Sequence, residues 1–171
     1  MSPTATEPLD PLRRAVRRLI ALRPVAWLLS HTIHPIDHAI FRASRGRFSA
    51  SSIFTGLPIL FVTTTGARSG QPRTVSLVGI PDGIRIILVA SNWGQEKHPA
   101  WYYNVKANPA VTVSSNDAPE GRAYTARELT GSERERAWER AATLYPGYRS
   151  YAARAGRVIP VIALEPSIAA Q

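Results

Sequence analysis

Cysteine is absent from the sequence, and its absence excludes several kinds of chemistry. Without a thiol the chain has no disulfide framework, no thiolate metal site and no cysteine nucleophile. Any cofactor chemistry therefore has to rest on other residues, and the composition is compatible with a reducing cytoplasm.

Long apolar runs are also lacking. A membrane-spanning helix needs about 20 predominantly apolar residues, but Arg23, His31 and His34 interrupt the most apolar stretch of the N-terminal region. Glu7 and Asp10 precede any apolar run, so the order of a signal peptide is missing too. We therefore expect a cytoplasmic protein whose contact with a membrane, if it makes one, is peripheral.

Acidic residues are few, with 12 Asp and Glu against 21 Lys and Arg, and the net charge is +9. Residues 1–47 carry +5 of this charge, because eight arginines face only three acidic residues there. Such an excess favours anionic partners, among them acidic lipid, nucleic acid and phosphorylated cofactors. With 171 residues, the chain is long enough for one domain with a core. The predicted organisation is a basic amphipathic arm at 1–47 and one domain at 48–171.

The arm is predicted to contain a basic amphipathic helix over 12–29, which Pro24 breaks or kinks. Residues before about Pro11 are polar and rich in proline, so they are expected to be disordered. Two interpretations of the helix stay open. It either packs on the domain as a surface helix or lies among the headgroups of an anionic membrane with its arginines on phosphates.

Two other functions of the arm are not expected. His31, His34 and His38 have helical spacing, but Pro35 interrupts the helix and no carboxylate motif accompanies them, so we predict no metal site. Nucleic-acid binding is not predicted either, because no aromatic platform is interleaved with the arginines.

The pattern after Gly46 changes to that of β-strands. Apolar, β-branched or alternating segments occupy 59–65, 74–80, 84–91, 111–115, 122–129 and 158–165. The pair Asp82-Gly83 is a two-residue hairpin signal, since both residues tolerate positive φ. About six strands with few helices between them predict a mainly β (α+β) fold, an antiparallel barrel with flanking helices.

Helices are expected at 99–107 and 132–145. Thr130 or Ser132 is expected to cap the second helix, with Glu133 or Glu135 in its first turn. Its buried stripe is predicted to contain Trp138, Ala141, Ala142 and Tyr145.

Three clusters carry groups that suit ligand binding. The loop 65–73 has two glycines, a hydroxyl and the guanidiniums of Arg68 and Arg73, and it is either a phosphate cradle or a solvated turn. The stretch 90–104 mixes polar, cationic and aromatic groups, which suit a planar heterocycle with an anionic tail, although Trp101 would equally fit the core. Three tyrosines either wall a pocket or pack the end of the barrel, namely Tyr145, Tyr148 and Tyr151.

Several separate blocks, in the same order, resemble the deazaflavin-dependent nitroreductase family of actinobacteria. The blocks are VTTTGARSGQPR at 62–73, ASNWG at 90–94, EKHPAWY at 96–102, Asn104 with KANP at 106–109, YP at 145–146 and IPV at 159–161. This resemblance implies a split β-barrel, usually dimeric, which binds coenzyme F420 as a dissociable cosubstrate. It further implies hydride transfer to a quinone-like acceptor such as menaquinone, or to a nitroaromatic one.

The resemblance also implies roles for individual residues. The phosphate and glutamyl tail would be held by Arg68, Ser69, Gln71 and Arg73, with Ser76 also assigned to cofactor binding. The deazaflavin ring and its side chain would be lined by Ala90, Ser91, Asn92, Lys97, Trp101 and Asn104. Catalytic assistance to the acceptor would come from Ser91, Tyr148 and Tyr145, with Tyr151 beside them.

The sequence departs from the family pattern at three positions. Arg68 stands where members often carry Lys, Trp93 where Gly is common, and Val78 where Tyr occurs. Because the last two reshape the acceptor pocket, nitroimidazole activity does not follow from the resemblance. Two alternatives remain, an oxidoreductase that uses FMN on the same barrel and a non-catalytic protein that binds a deazaflavin or lipid.

Overall fold

The computed structural model describes residues 59–115 and 118–167. The predicted arm, its amphipathic helix and its three histidines lie outside the described residues. Seven strands are present in the described part, namely β1 (Ile59–Thr65), β2 (Pro72–Val78), β3 (Ile80–Asp82), β4 (Arg85–Val89), β5 (Ala110–Ser115), β6 (Ala118–Glu128) and β7 (Val161–Pro166). The helices described are α1 (Ala100–Ala107), α2 (Gly131–Leu144) and α3 (Gly147–Ala155).

All seven strands form one antiparallel sheet in the order β2-β1-β5-β6-β7-β4-β3. β2 and β3 lie at opposite ends of this order, yet only Gly79 separates them along the chain. Because consecutive Cα atoms are about 3.8 Å apart, the two outer strands have to meet. The sheet therefore curls into a barrel, as the sequence predicts.

The count of about six strands is corrected to seven, because the predicted strand 74–80 is divided at Gly79. A Cβ atom at Gly79 would overlap the side chain of Leu60 and approach Ile86. Glycine thus occupies the point where the chain crosses from one edge of the sheet to the other, and a larger residue would meet both neighbouring strands.

The predicted hairpin is confirmed, but its turn lies one residue later than expected. Asp82 pairs with Arg85 in the last rung, so the two turn residues are Gly83 and Ile84. Gly83 has φ of +64°, and positive φ at the first turn position is the requirement of a type II′ turn.

Alternation along the strands separates two cores. Residues from β1, β4, β5, β6 and β7 fill the barrel interior together with Trp101 and Val105 of α1. The intervening residues of β4 and β7 pack on the other side against α2 and α3, where the three tyrosines lie. Both sets follow the two-residue period of a strand.

The predicted helices at 99–107 and 132–145 are confirmed to within one residue at each end. Thr130 is at the N-cap of α2, but its side chain makes no capping hydrogen bond. Glu133 instead forms ion pairs with Arg85 and Arg127, and Trp138 is only partly buried. Helix α3 was not predicted. No helix among the described residues is long and apolar enough to cross a membrane.

Candidate functional site

The antiparallel order brings several loops to one end of the barrel, its rim. β1 and β4 run in the same direction, so their last residues, Thr65 and Val89, both lie at this rim. β7 begins there, and the amide of Ala90 donates to the carbonyl of Pro160 just before β7 (3.0 Å). The 66–71 loop and the 90–98 loop therefore share one rim with residues 156–160.

The 66–71 loop is closed by its own backbone. Gly66 N donates to Gln71 O (2.9 Å), and Gly70 N donates to Gly66 O (2.8 Å). Gly70 has φ of +66°, and a Cβ atom at Gly66 would lie 2.6 Å from the hydroxyl of Ser69. The positive φ of Gly70 therefore favours glycine, and a side chain at Gly66 would displace the hydroxyl of Ser69.

Asn104 of α1 fixes this loop to the barrel. Its Oδ1 accepts from Ala67 N (3.0 Å), and its Nδ2 donates to Thr64 Oγ1 (3.0 Å). Thr64 Oγ1 in turn donates to the carbonyl of Arg73 (3.2 Å). Both ends of the buried Asn104 amide are therefore occupied, and the residue positions the loop rather than presenting its amide to a ligand.

The cationic side chains of the loop and of the first residues of β2 face solvent. Arg68 and Arg73 are exposed, and neither has an ion-pair partner among residues 59–115 and 118–167. Ser69 and Gln71 are exposed beside them, with Ser69 Oγ accepting from Gln71 N (3.3 Å). Ser76 lies three residues beyond Arg73 on β2, hence on the opposite face of that strand, and does not join this group.

The 90–98 loop contains a 3₁₀ turn at Asn92–Gly94 with unusual backbone angles. Asn92 and Trp93 both have positive φ, 47° and 57°, which is costly for residues that carry a side chain. Asn92 Nδ2 donates to Lys97 O (2.9 Å) and Gln95 Oε1 (3.2 Å), so this side chain also shapes the loop. Lys97 is exposed.

Two arginines to which the sequence assigns no role bind this loop. Arg157 Nη2 lies 3.3 Å from each of the carbonyls of Ala90, Ser91 and Lys97, and its Nε donates to Gln95 O (3.2 Å). Arg154 Nη2 donates to Trp93 O (3.0 Å). No local pattern indicates these contacts, because they join residues about 60 positions apart.

The predicted ring-lining residues differ in how much they can offer a ligand. Ala90 and Trp101 are buried in the barrel interior, which favours the alternative that Trp101 belongs to the core. Ser91 is only half-buried, and its hydroxyl forms no hydrogen bond with another described residue. Asn92 is as accessible as Ser91 but its side chain is bound within the loop, so Ser91 and Lys97 are the side chains of this group that can reach a ligand.

The three tyrosines are brought together on the α2 and α3 side. Tyr145 and Tyr151 share a hydrogen bond between their hydroxyls (2.9 Å), and the ring of Tyr148 meets that of Tyr145 edge to face at 5.1 Å. Burial raises the pKa of Tyr148 and of Tyr151 above the ordinary range of a phenol. These phenols therefore stay protonated at neutral pH. Trp93 contacts Tyr151, which joins the cluster to the 90–98 loop.

His98 is a further group at this rim. Its ring is tilted by 42° against that of Tyr102, with 4.8 Å between the ring centres, and its Nδ1 is buried without a hydrogen-bond partner among the described residues. Burial, followed by the charge of Arg157, lowers the pKa of His98. The imidazole is therefore neutral at pH 7. In the described part of the chain, no group of three His, Cys, Asp or Glu side chains suits a metal ion.

The rim has the features that a phosphorylated planar cofactor needs. An exposed guanidinium on a fixed glycine loop and another at the start of β2 suit an anionic tail, and the half-buried hydroxyl of Ser91 lies on the neighbouring loop beside an aromatic cluster. The residues present therefore fit a deazaflavin with a phosphate-containing tail. A barrel rim formed by loops is also a common place for a ligand.

Comparisons with known proteins show which proteins this chain is similar to. A family model described as F420H(2)-dependent quinone reductase matches residues 36–166. An F420H(2)-dependent quinone reductase of Mycobacterium tuberculosis H37Rv is 36% identical over 147 residues, covering 81% of this chain and 95% of that protein.

Solved structures are similar as well. One described as an F420-H2 dependent reductase has 45% identity and a TM-score of 0.56, covering 63% of this chain and 94% of its own. Another, described as a domain-swapped dimer, has 36% identity and a TM-score of 0.59, covering 84% of this chain and all of its own.

Proposed function

Since this chain belongs to the F420H(2)-dependent quinone reductase family, we propose that its 66–71 and 90–98 loops hold the deazaflavin whose hydride it transfers to a quinone-like acceptor. The chain is accordingly an oxidoreductase that uses coenzyme F420. The observation that carries the residue assignment is the pair of exposed guanidiniums at the same rim as Ser91, with Arg68 on the loop that Asn104 fixes and Arg73 at the start of β2 just after it.

The bound, reduced deazaflavin supplies the hydride, and the protein supplies binding, orientation and electrostatics. Arg68 and Arg73 attract the anionic tail, with Ser69 and Gln71 as further polar contacts. These contacts are the same before and during hydride transfer, so they raise affinity more than they raise kcat.

Acceptor chemistry is assigned to the neighbouring hydroxyls. The Ser91 hydroxyl would donate to the acceptor oxygen on which negative charge develops. Tyr148, whose pKa is raised by burial, and the buried Tyr145 would wall the acceptor pocket, with Tyr148 serving as a donor rather than as a base. Lys97 would add a positive charge beside the ring.

A cofactor titration tests the assignment of the tail. We expect Arg73→Ala to weaken F420 binding about tenfold or more, because a hydrogen bond to a charged group contributes roughly 1.5–3 kcal/mol. Arg136→Ala, which removes an exposed arginine of α2, is the matched control and should leave the affinity unchanged. Equal affinity of the Arg73→Ala and wild-type proteins, measured by deazaflavin fluorescence, would contradict the assignment.

The same titration with FMN, followed by turnover, separates the alternatives. We expect FMN to bind far more weakly than F420, and F420H2 to be oxidised anaerobically when menadione is added. Tight binding of F420 without oxidation would instead indicate a storage protein. Nitroaromatic compounds are the second acceptor class in the proposal, since they are also flat and electron-poor, and they belong in the same screen.

The proposal extends to assembly and location. A homodimer is supported by the similar structure described as a domain-swapped dimer.

We propose a cytoplasmic protein whose arm at 1–47, with its eight arginines, contacts the anionic inner face of the cell membrane. Cosedimentation of the full chain with anionic vesicles, and its absence with neutral ones, tests the membrane contact.

A further inference from the structure

The backbone of the 90–98 loop is held in a shape that it would not keep unaided. Asn92 and Trp93 are two consecutive residues with positive φ and a side chain each, and such residues persist only where surrounding structure enforces them. Gly94 follows with φ of +77°, and a Cβ atom there would lie 3.0 Å from the backbone of Tyr151. The turn therefore packs directly on α3 and needs external contacts to hold it.

Arg157 supplies most of these contacts. One guanidinium reaches the carbonyls of Ala90, Ser91, Gln95 and Lys97, so it joins the beginning and the end of the loop. Its Nη1 is also 3.5 Å from Val158 O, which connects the loop to the segment before β7. Among the residues described, no carboxylate lies within ion-pair distance of Arg157. The Arg157 guanidinium therefore interacts with backbone carbonyls rather than with a carboxylate.

Arg154 provides a second contact at the strained residue itself. It donates to the carbonyl of Trp93, and its guanidinium lies 5.1 Å from the ring centre of Tyr151. The two arginines thus contact the loop on both sides of Gly94. Both come from the end of α3 and the residue after Gly156, a region otherwise without an assigned role.

We propose that Arg157, assisted by Arg154, is a positioning residue that keeps the 90–98 loop in the conformation that receives the deazaflavin. This inference rests on the proposed function, because it takes the loop as part of the cofactor site. Arg157 acts through the backbone of Ser91 and Lys97. Loss of Arg157 should therefore lower the population of the loop conformation that binds the ligand, while the groups that contact the ligand stay the same.

That distinction gives a quantitative expectation. If the loop without Arg157 adopts the binding conformation about a tenth of the time, the apparent Kd for F420 rises about tenfold. Saturating cofactor would select the same conformation again, so kcat should change much less than KM. If Arg157 only stabilised the fold, its replacement would lower the stability of the whole barrel, and KM would not change more than kcat.

Hydrogen exchange of the cofactor-free protein tests the positioning directly. In Arg157→Gln, we expect faster exchange in peptides that cover 90–98, including the amides of Gly94 and Gln95 that close the turn. Peptides that cover 59–65 should be unchanged. The exchange rate of Arg157→Lys in the same peptides should lie between those of the wild type and of Arg157→Gln, because an ammonium donates to fewer carbonyls than the planar guanidinium.

The matched control is Arg149→Gln on α3, the helix that carries Arg154 and precedes Arg157. Arg149 is exposed and pairs with Glu139 of α2, away from the loop, so its loss should leave both exchange and F420 affinity unchanged. Arg154→Gln provides a second test if Arg157→Gln does not fold, and it should accelerate exchange in the same peptide.

The outcomes separate this inference from the proposed function. Unchanged exchange at 90–98 in Arg157→Gln overturns the inference, and so does faster exchange with an unaltered Kd for F420, while wild-type binding of F420 would still support the proposed function. A wild-type protein that binds no F420 overturns the proposed function itself. Faster exchange together with a Kd raised about tenfold supports the inference.

Discussion

At the scale of single residues, Asn104 has the clearest effect on the rim. Its side chain spans from α1 to the end of β1 and the start of the 66–71 loop, and both halves of the amide are used. The loop that carries Arg68 therefore depends on a buried residue that presents no free group to the ligand.

We expect Asn104→Ala to lower the free energy of unfolding by about 1–3 kcal/mol, since it leaves the buried Thr64 hydroxyl and the Ala67 amide without this partner. F420 affinity should fall as well, because Arg68 is no longer on a fixed loop. Urea denaturation and the fluorescence titration measure the two effects.

Asn104→Asp is the informative companion, because it keeps an acceptor for Ala67 N and removes the donor to Thr64. A variant at this position with full stability and full affinity would show that the loop is fixed by other contacts.

At the scale of elements, α2 is joined to the barrel by charges as well as by its apolar face. Glu133 in its first turn accepts hydrogen bonds from Arg127 of β6 and from Arg85 of β4. These bonds lower the pKa of Glu133 to about 2, and the hydrogen bond from Arg127 has the larger effect. Glu133, which was expected in the first turn as the companion of the capping residue, is instead part of an inter-element ion-pair network.

This shift predicts a pH dependence of stability. The folded protein binds a proton at Glu133 less readily than the unfolded chain does, so the stabilisation is complete above the ordinary pKa of glutamate, about 4.3. It is lost as the pH falls from there towards about 2. We expect Glu133→Gln to lower the Tm at pH 7 and to flatten the decline of Tm between pH 5 and about pH 2, as thermal scans over this range would measure.

Glu139→Gln is the control for that experiment, since Glu139 lies farther along the same helix in an exposed pair with Arg149. If Glu133→Gln retained the full wild-type acid sensitivity, the network around Glu133 would not be its source.

At the scale of the whole molecule, closure of the barrel depends on Gly79. This residue connects the two outer strands and lies between Leu60 and Ile86, where a Cβ atom has no room. The closure in turn brings the ends of β1 and β4 to one rim, so the site depends on it.

We expect Gly79→Ala to lower the stability by about 1–3 kcal/mol, as overpacking of a filled interior does. Leu60→Ala in the same chain should relieve the overlap, so the double variant should lose less than the sum of the two single losses. Strictly additive losses, measured by urea denaturation, would argue against a clash at this point.

Much of the local structure could be predicted from the sequence. The segments 59–65, 111–115 and the hairpin at Gly83 follow from alternation and turn residues, which act over a few positions. The exposed arginines at and just after the 66–71 loop, Arg68 and Arg73, follow from the same local signals. Helix α3 was missed because Pro146 and Gly147 at its start resemble a turn.

The candidate site was predicted less completely, because a residue type does not reveal its partners. Asn104 and Trp101 lie in the stretch assigned to the ring. Asn104 instead fixes the 66–71 loop, and Trp101 fills the barrel interior. Arg157 carries no local signal at all, since the carbonyls that it binds lie about 60 positions earlier.

The sequence by itself determined which segments are strands, where they turn and which loops carry charge, because these depend on periodicity and on backbone freedom within a few residues. Only the tertiary structure decided that both loops meet at one rim and that Asn104, Arg154 and Arg157 hold them there. Those contacts arise when antiparallel pairing and closure at Gly79 bring distant backbone groups within hydrogen-bonding distance.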